Sequence, residues 1–147
     1  FGGTILMIVW AIASLVLITN KRIAVSVVSN LVLIALLNNI LKLIVRRDRP
    51  TGFRLIEETG YSFPSGHSMV SMAFYGYLIY MIYKNVKNKK LRWTLMTCFS
   101  LLILIIGMSR IYLGVHYTSD VFAGFLFSIG YLVVYIKFTD PIVFQKK

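Results

Sequence analysis

The sequence is short of acid. Among 147 residues there are five Asp and Glu against sixteen Lys and Arg, a formal net charge of +11. Five scattered carboxylates, with no paired set and no His-rich spacing, make a poor cage for a divalent metal. Cysteine is scarcer still. Cys98 stands alone, so no disulfide forms within the chain, and its place in an apolar run reads as a small buried hydrophobe. Charge of any sign is sparse at 14%, against about 25% in soluble domains. That excludes a disordered chain, a coiled coil and an ordinary soluble fold. No glycine-rich nucleotide loop is present, and no cleavable signal peptide is visible.

What is present is apolar: hydrophobic residues make up 58% of the chain. A membrane-crossing helix needs about 20 such residues. Five stretches qualify or nearly do, at residues 4–19, 23–45, 65–83, 93–111 and 119–138. The expected fold class is therefore all-α, a polytopic transmembrane helix bundle forming one integral-membrane domain over residues 1–147. Pro50 closes the second stretch by disfavouring helix before it, and Pro141 is read as the stop of the fifth. Basic residues fall in short clusters between these runs, the pattern of a membrane protein and not of a nucleic-acid binder. The turn at 20–22, the turn at 84–92 and the C-terminus carry ten basic residues against Asp140 alone. The positive-inside rule puts that side in the cytoplasm. The other side faces outward and holds both histidines, His67 and His116, with four of the five acids. A structural bundle has no reason to gather its scarce ionisable groups at one level.

Three clusters lie there. Lys42, Arg46 and Arg49, at i, i+4 and i+7, are read as sharing one helix face. Arg46 and Arg47 read equally well as a snorkelling helix end. Lys42, deeper in the span, is costly unless it faces a polar cavity. Phe63-Pro64-Ser65-Gly66-His67 reads as a helix start. Ser65 is then a cap, or part of an anion site where free N–H groups and the helix dipole attract phosphate and Gly66 allows close approach. Last, Ser109-Arg110 is followed by His116 and Asp120, four apart. A carboxylate holding one ring nitrogen leaves the other as a free lone pair, the logic of a base and its orienter. The plainer reading is that Asp120 favours a helix N-terminus. Together the clusters suit phosphoryl transfer, with arginines binding a dianion bidentately.

The runs Lys42 to Pro50, Pro64 to His67 and Ser109 to Asp120 together resemble the motifs of the type 2 phosphatidic acid phosphatases, the lipid phosphate phosphatases, over about residues 23–138. Members of that family in membranes usually have six spans, so the resemblance implies a sixth helix before Phe1. It further implies that His116 attacks phosphorus to form a phosphohistidine, that Asp120 orients it, and that His67 protonates the leaving oxygen. Lys42, Arg49 and Arg110 would clamp the phosphate, and Ser65 with the Gly66 N–H would complete the oxyanion cradle. Arg46 and Arg47, outside the motif, are read as contacts to a second phosphate or to lipid headgroups. No cofactor and no metal are implied. The partners are a lipid phosphate substrate (phosphatidic acid, phosphatidylglycerol phosphate or an isoprenyl diphosphate) and the cell membrane, with no nucleic acid. The aromatics Phe74, Tyr75, Tyr77, Tyr80 and Tyr83 read as packing, or as the lining of a path for the lipid. A non-catalytic anion- or lipid-binding membrane protein would need the same cations but gains little from His67, His116 and Asp120 together. A lipid phosphotransferase would share the first half-reaction.

Overall fold

A computed structural model describes residues 20–144 of the chain. The first expected span, residues 4–19, lies outside the described residues. The rest is helical, with no strand among the described residues. Four helices follow one another: α1 (Lys21–Val45), α2 (Gly66–Asn85), α3 (Lys89–Tyr112) and α4 (Thr118–Val143). Three of them, α1, α3 and α4, are long and apolar enough to cross a membrane. The 20 residues of α2 would reach about 30 Å, but the helix falls short of that apolarity. Its serines and tyrosines explain the difference. All but the exposed Tyr83 face inward, because α2 is packed by α1, α3 and α4 and buries Ser68, Ser71, Tyr75 and Tyr77.

Neighbouring helices run antiparallel, so the two ends of the bundle differ. At one end Lys84 Nζ lies 3.3 Å from Asp140 Oδ1, and Tyr80 donates a short hydrogen bond to the same carboxylate. At the other end lie the C-termini of α1 and α3, the N-termini of α2 and α4, and every candidate site residue except Lys42, which sits one turn inside α1.

The interior is unusually polar and the outside apolar, the reverse of a soluble domain. Buried Asn30 donates to Ala73 O at 2.9 Å. Tyr77 donates to Ser26 Oγ at 3.0 Å, and Ser128 donates to Met69 O at 2.9 Å. Such bonds tie helices together where lipid offers no hydrophobic drive. Ile34, Met69 and Ala73 pack between α1 and α2. Val27, Leu31, Phe74, Tyr77, Leu132 and Tyr135 form the larger core. Meanwhile Val25, Leu36, Ile44, Leu104, Ile105, Leu126 and Val133 stay exposed, more apolar surface than a soluble monomer tolerates.

Several sequence expectations are corrected here. Cys98 is exposed, because α3 turns most of its surface outward. Pro141 does not stop the last helix, which runs to Val143. A proline so near the end removes a single hydrogen bond, and Phe144 N–H still reaches Asp140 O at 2.9 Å. Of the aromatic series, Phe74, Tyr75 and Tyr77 are buried in the core while Tyr83 is exposed. The helix α1 ends at Val45, so Lys42, Arg46 and Arg49 do not share a helical face. Arg46 takes a left-handed conformation (φ 50°) as the C-cap, its N–H bonded to Lys42 O, and Arg49 follows in the loop.

Candidate active site

The polar loop from Arg46 to Ser65 folds back over the ends of α3 and α4, and backbone bonds pin it there. Leu55 N–H reaches Leu113 O at 3.1 Å, Ser62 N–H reaches Arg47 O at 2.7 Å, and Ser65 N–H reaches Asp120 O at 3.1 Å. The last bond locks the start of α2 to the start of α4. Gly124 makes that approach possible: a Cβ there would lie 3.1 Å from Ser65 O and 3.2 Å from Ser68 Cβ. On the other flank Gly114 turns the chain with φ +71°, and a Cβ would run into Phe53 O. His116 is thereby held in the tight link between α3 and α4.

His116 precedes α4 and is not in its first turn. Its spacing to Asp120 still brings Nδ1 within 3.5 Å of Oδ2. On the other side of the ring, Arg49 Nη1 lies 3.3 Å from Nε2. An arginine only donates, so Nε2 carries the lone pair and Nδ1 the proton. The ring is buried, 2% exposed at its side chain. Burial, with Arg49 and Lys42 nearby, lowers its pKa from 6.5 to about 4. His116 is thus neutral at ordinary pH, with Nε2 available as a nucleophile.

Asp120 is fully buried and heavily engaged. Oδ2 accepts from Tyr117 N–H at 3.0 Å, closing a capping box at the start of α4, and also from the buried Ser62 hydroxyl over a short hydrogen bond. Oδ1 accepts from Arg47 Nη1 at 2.8 Å. One carboxylate therefore both caps α4 and lies against the His116 ring.

The cations divide into two groups. Arg49 lies at the centre: Nε donates to Gly60 O at 3.0 Å, Nη2 to Thr59 O at 3.2 Å and Nη1 to Val115 O at 3.0 Å. Arg110 joins it through Glu58, whose carboxylate lies 2.9 Å from Arg49 Nη1 and 3.7 Å from Arg110 Nη1. Lys42 Nζ donates to Tyr61 O at 2.5 Å and is half-buried. Its charge acts on His116, as does that of Arg49. Arg46 and Arg47 stand apart from this group. Arg46 is exposed and donates to Leu43 O at 2.9 Å. Arg47 holds Asp120 and Ser119, and its guanidinium lies 4.0 Å over the Tyr117 ring.

His67 opens α2 in its first turn, half-buried, and no hydrogen bond or ion pair holds its ring among the described residues. The charges acting on it are Arg110, Glu58 and Arg49. Ser65 is the N-cap of α2 and fully buried, its Oγ accepting from Ser68 N–H at 3.5 Å and Ser68 Oγ at 3.0 Å. Its contacts are the cap and the Asp120 backbone, and not the cations. Gly66 opens the helix against Asn38. Three site residues escaped the sequence reading: Ser62, Glu58 and Arg47 in its role at Asp120. No spacing rule reaches them, because an irregular loop sets their positions. Among the described residues, no three His, Cys, Asp or Glu side chains form a group that would hold a metal ion.

Fold and site together define a helical bundle of membrane-protein composition, with a buried neutral histidine facing arginines at one end. The chain belongs to the PAP2 superfamily, whose sequence pattern matches residues 23–143. It is 37% identical over 105 residues to the phosphatidylglycerophosphatase B of Bacillus subtilis (strain 168), covering 69% of this chain and 49% of that protein. It is 31% identical over 145 residues to an undecaprenyl-diphosphatase of Sulfolobus acidocaldarius, covering 91% of this chain and 66% of that protein. The chain thus spans between about half and two thirds of the length of these relatives. In structure it resembles a transmembrane PAP2 type phosphatidylglycerolphosphate phosphatase from Bacillus subtilis. The TM-score is 0.80 at 26% identity, over 96% of this chain and 70% of the other.

Proposed function

We propose that this chain carries the catalytic site of a membrane lipid phosphatase that removes a phosphate from a lipid phosphomonoester or diphosphate through a phosphohistidine, without a metal. The observation that carries the reading is the arrangement around His116: Arg49 at 3.3 Å from Nε2 and Asp120 at 3.5 Å from Nδ1. A pure anion binder gains nothing from a buried neutral imidazole whose proton is directed to a carboxylate. In the first half-reaction Nε2 attacks phosphorus, the bond to the lipid oxygen breaks, and His67 gives that oxygen a proton. Arg49, Arg110 and Lys42 stabilise the charge on the phosphoryl oxygens, with Ser65 and the Gly66 N–H at the mouth of α2 completing the cradle. In the second, water attacks phosphorus, His67 takes its proton, and the P–N bond breaks to return neutral His116.

The relatives named above support a lipid phosphate as substrate, phosphatidylglycerol phosphate or undecaprenyl diphosphate, and the family resemblance adds phosphatidic acid. The apolar surfaces of α1, α3 and α4 support a multi-pass protein of the cell membrane, and the charge asymmetry of the loops supports a site on its outer face. Phosphate release from the three lipids in detergent micelles, with EDTA present, tests the reading in wild type and His116→Ala. Release by wild type alone is expected. Equal release by both, or dependence on added metal, would contradict it. Transfer to an added alcohol in place of water would favour the phosphotransferase.

A further inference from the structure

Asp120 holds the Nδ1 side of His116, and Glu58 brings a second carboxylate to the Nε2 side, among Arg49 and Arg110. Its oxygens lie 2.9 Å from Arg49 Nη1, 3.7 Å from Arg110 Nη1 and 3.9 Å from His116 Nε2. These three groups are also the ones assigned above to clamp and attack a phosphoryl group. The carboxylate therefore stands where the substrate's phosphate has to stand. Both arginines are largely buried, 8% and 17% exposed at their side chains, while Glu58 keeps 22%. Its backbone is fixed independently of its carboxylate, since Arg49 also grips Thr59 O and Gly60 O.

We infer that Glu58 is a built-in competitor anion that a phosphate must displace to reach Arg49, Arg110 and His116. The inference rests on the phosphatase reading above. The carboxylate is tethered in place, so it competes at high effective concentration and lowers the affinity of every anionic headgroup by the same factor. A phosphomonoester brings close to two charges and three terminal oxygens above its second pKa of about 6. That is enough to engage both guanidinium groups bidentately and displace a single carboxylate.

The test is calorimetric titration of detergent-solubilised full-length protein in a His116→Ala background, which removes turnover. Short-chain phosphatidic acid and short-chain phosphatidylglycerol are titrated at about pH 8 with Glu58 intact, Glu58→Gln and Glu58→Asp. Size-exclusion profiles confirm that each variant is folded. With Glu58 intact, phosphatidic acid binds. Glu58→Gln tightens it by about tenfold, the scale of one desolvated charge contact, and tightens phosphatidylglycerol by a similar factor. Glu58→Asp keeps the weaker binding. Unchanged or weaker binding of phosphatidic acid in Glu58→Gln overturns the inference while leaving the phosphatase reading standing. Failure of phosphatidic acid to bind in any variant removes the phosphate reading itself, and the inference with it.

Discussion

Arg47 Nη1 lies 2.8 Å from Asp120 Oδ1, and Asp120 Oδ2 lies 3.5 Å from His116 Nδ1. One buried carboxylate thus joins an arginine from the end of α1 to the proposed nucleophile before α4. Arg47, read from the sequence as a contact to a second phosphate or a headgroup, is tied to the carboxylate that lies against His116. Its Nη1 is shared between Asp120 and Ser119, and its face is covered by Tyr117.

Arg47→Ala is expected to lower kcat by about 10²-fold, the cost of a misplaced catalytic group, with little change in KM for the lipid. Arg47→Lys should recover part of the loss. Steady-state kinetics on a lipid phosphate in mixed micelles separates the two roles. A rise in KM at constant kcat would return Arg47 to phosphate binding.

Ser62→Ala removes the hydroxyl that donates to Asp120 Oδ2 and lies 3.5 Å from His116 Nδ1. A hydrogen bond to a buried charge is worth about 1.5–3 kcal/mol, so kcat is expected to fall by about tenfold or more. Circular dichroism should show the helices intact. Wild-type kcat in this variant would show that Tyr117 N–H and Arg47 suffice to hold Asp120.

The burial of His116 sets a pH dependence. Its pKa is lowered from 6.5 to about 4, so in the free protein it stays neutral as pH falls through 6 and gains its proton only near 4. The acidic limb of kcat/KM assigned to the nucleophile therefore lies near pH 4. The sign for stability follows the same way. Between about 4 and 6.5 the unfolded chain binds the proton that the folded one refuses, so stability is lost as pH falls through that window. Histidine-selective NMR on labelled protein reads the state directly, and a cationic His116 at pH 6 would contradict it.

Gly114→Ala is expected to destabilise the fold by roughly 1–3 kcal/mol, because the residue takes a left-handed conformation and its Cβ meets the Phe53 backbone. The link that holds His116 would shift with it, so activity falls more steeply than thermal stability. A variant with unchanged melting and unchanged kcat would show that the turn has slack.

Much of this architecture is legible in the sequence because membrane helices announce themselves by length and apolarity. The spans expected at 23–45, 93–111 and 119–138 match α1, α3 and α4 to within a few residues at most ends. The helix α2 was located by its Pro-Ser-Gly start, although its inward serines and tyrosines keep it below the apolarity of the others. The contact between His116 and Asp120 follows the expected spacing, because four residues bring the two together even when the first lies outside the helix. What escaped was the work of the loop between α1 and α2. Nothing periodic ties Glu58 to Arg49 or Ser62 to Asp120; those contacts exist because backbone bonds from Leu55, Ser62 and Ser65 fold the loop across the bundle end. The helical face assigned to Lys42, Arg46 and Arg49 failed for a local reason, the left-handed cap at Arg46.

The most direct test of the central claim is to trap the phosphoenzyme. Wild type, His116→Ala and His67→Ala are mixed with a lipid carrying radiolabelled phosphate, quenched in alkali, and the protein is counted and digested. The account expects base-stable, acid-labile label on the peptide containing His116 in wild type, and none in His116→Ala. The loss of turnover in His116→Ala is expected to reach about three orders of magnitude or more. Label on another residue, or more than a few per cent of turnover in His116→Ala, would contradict it.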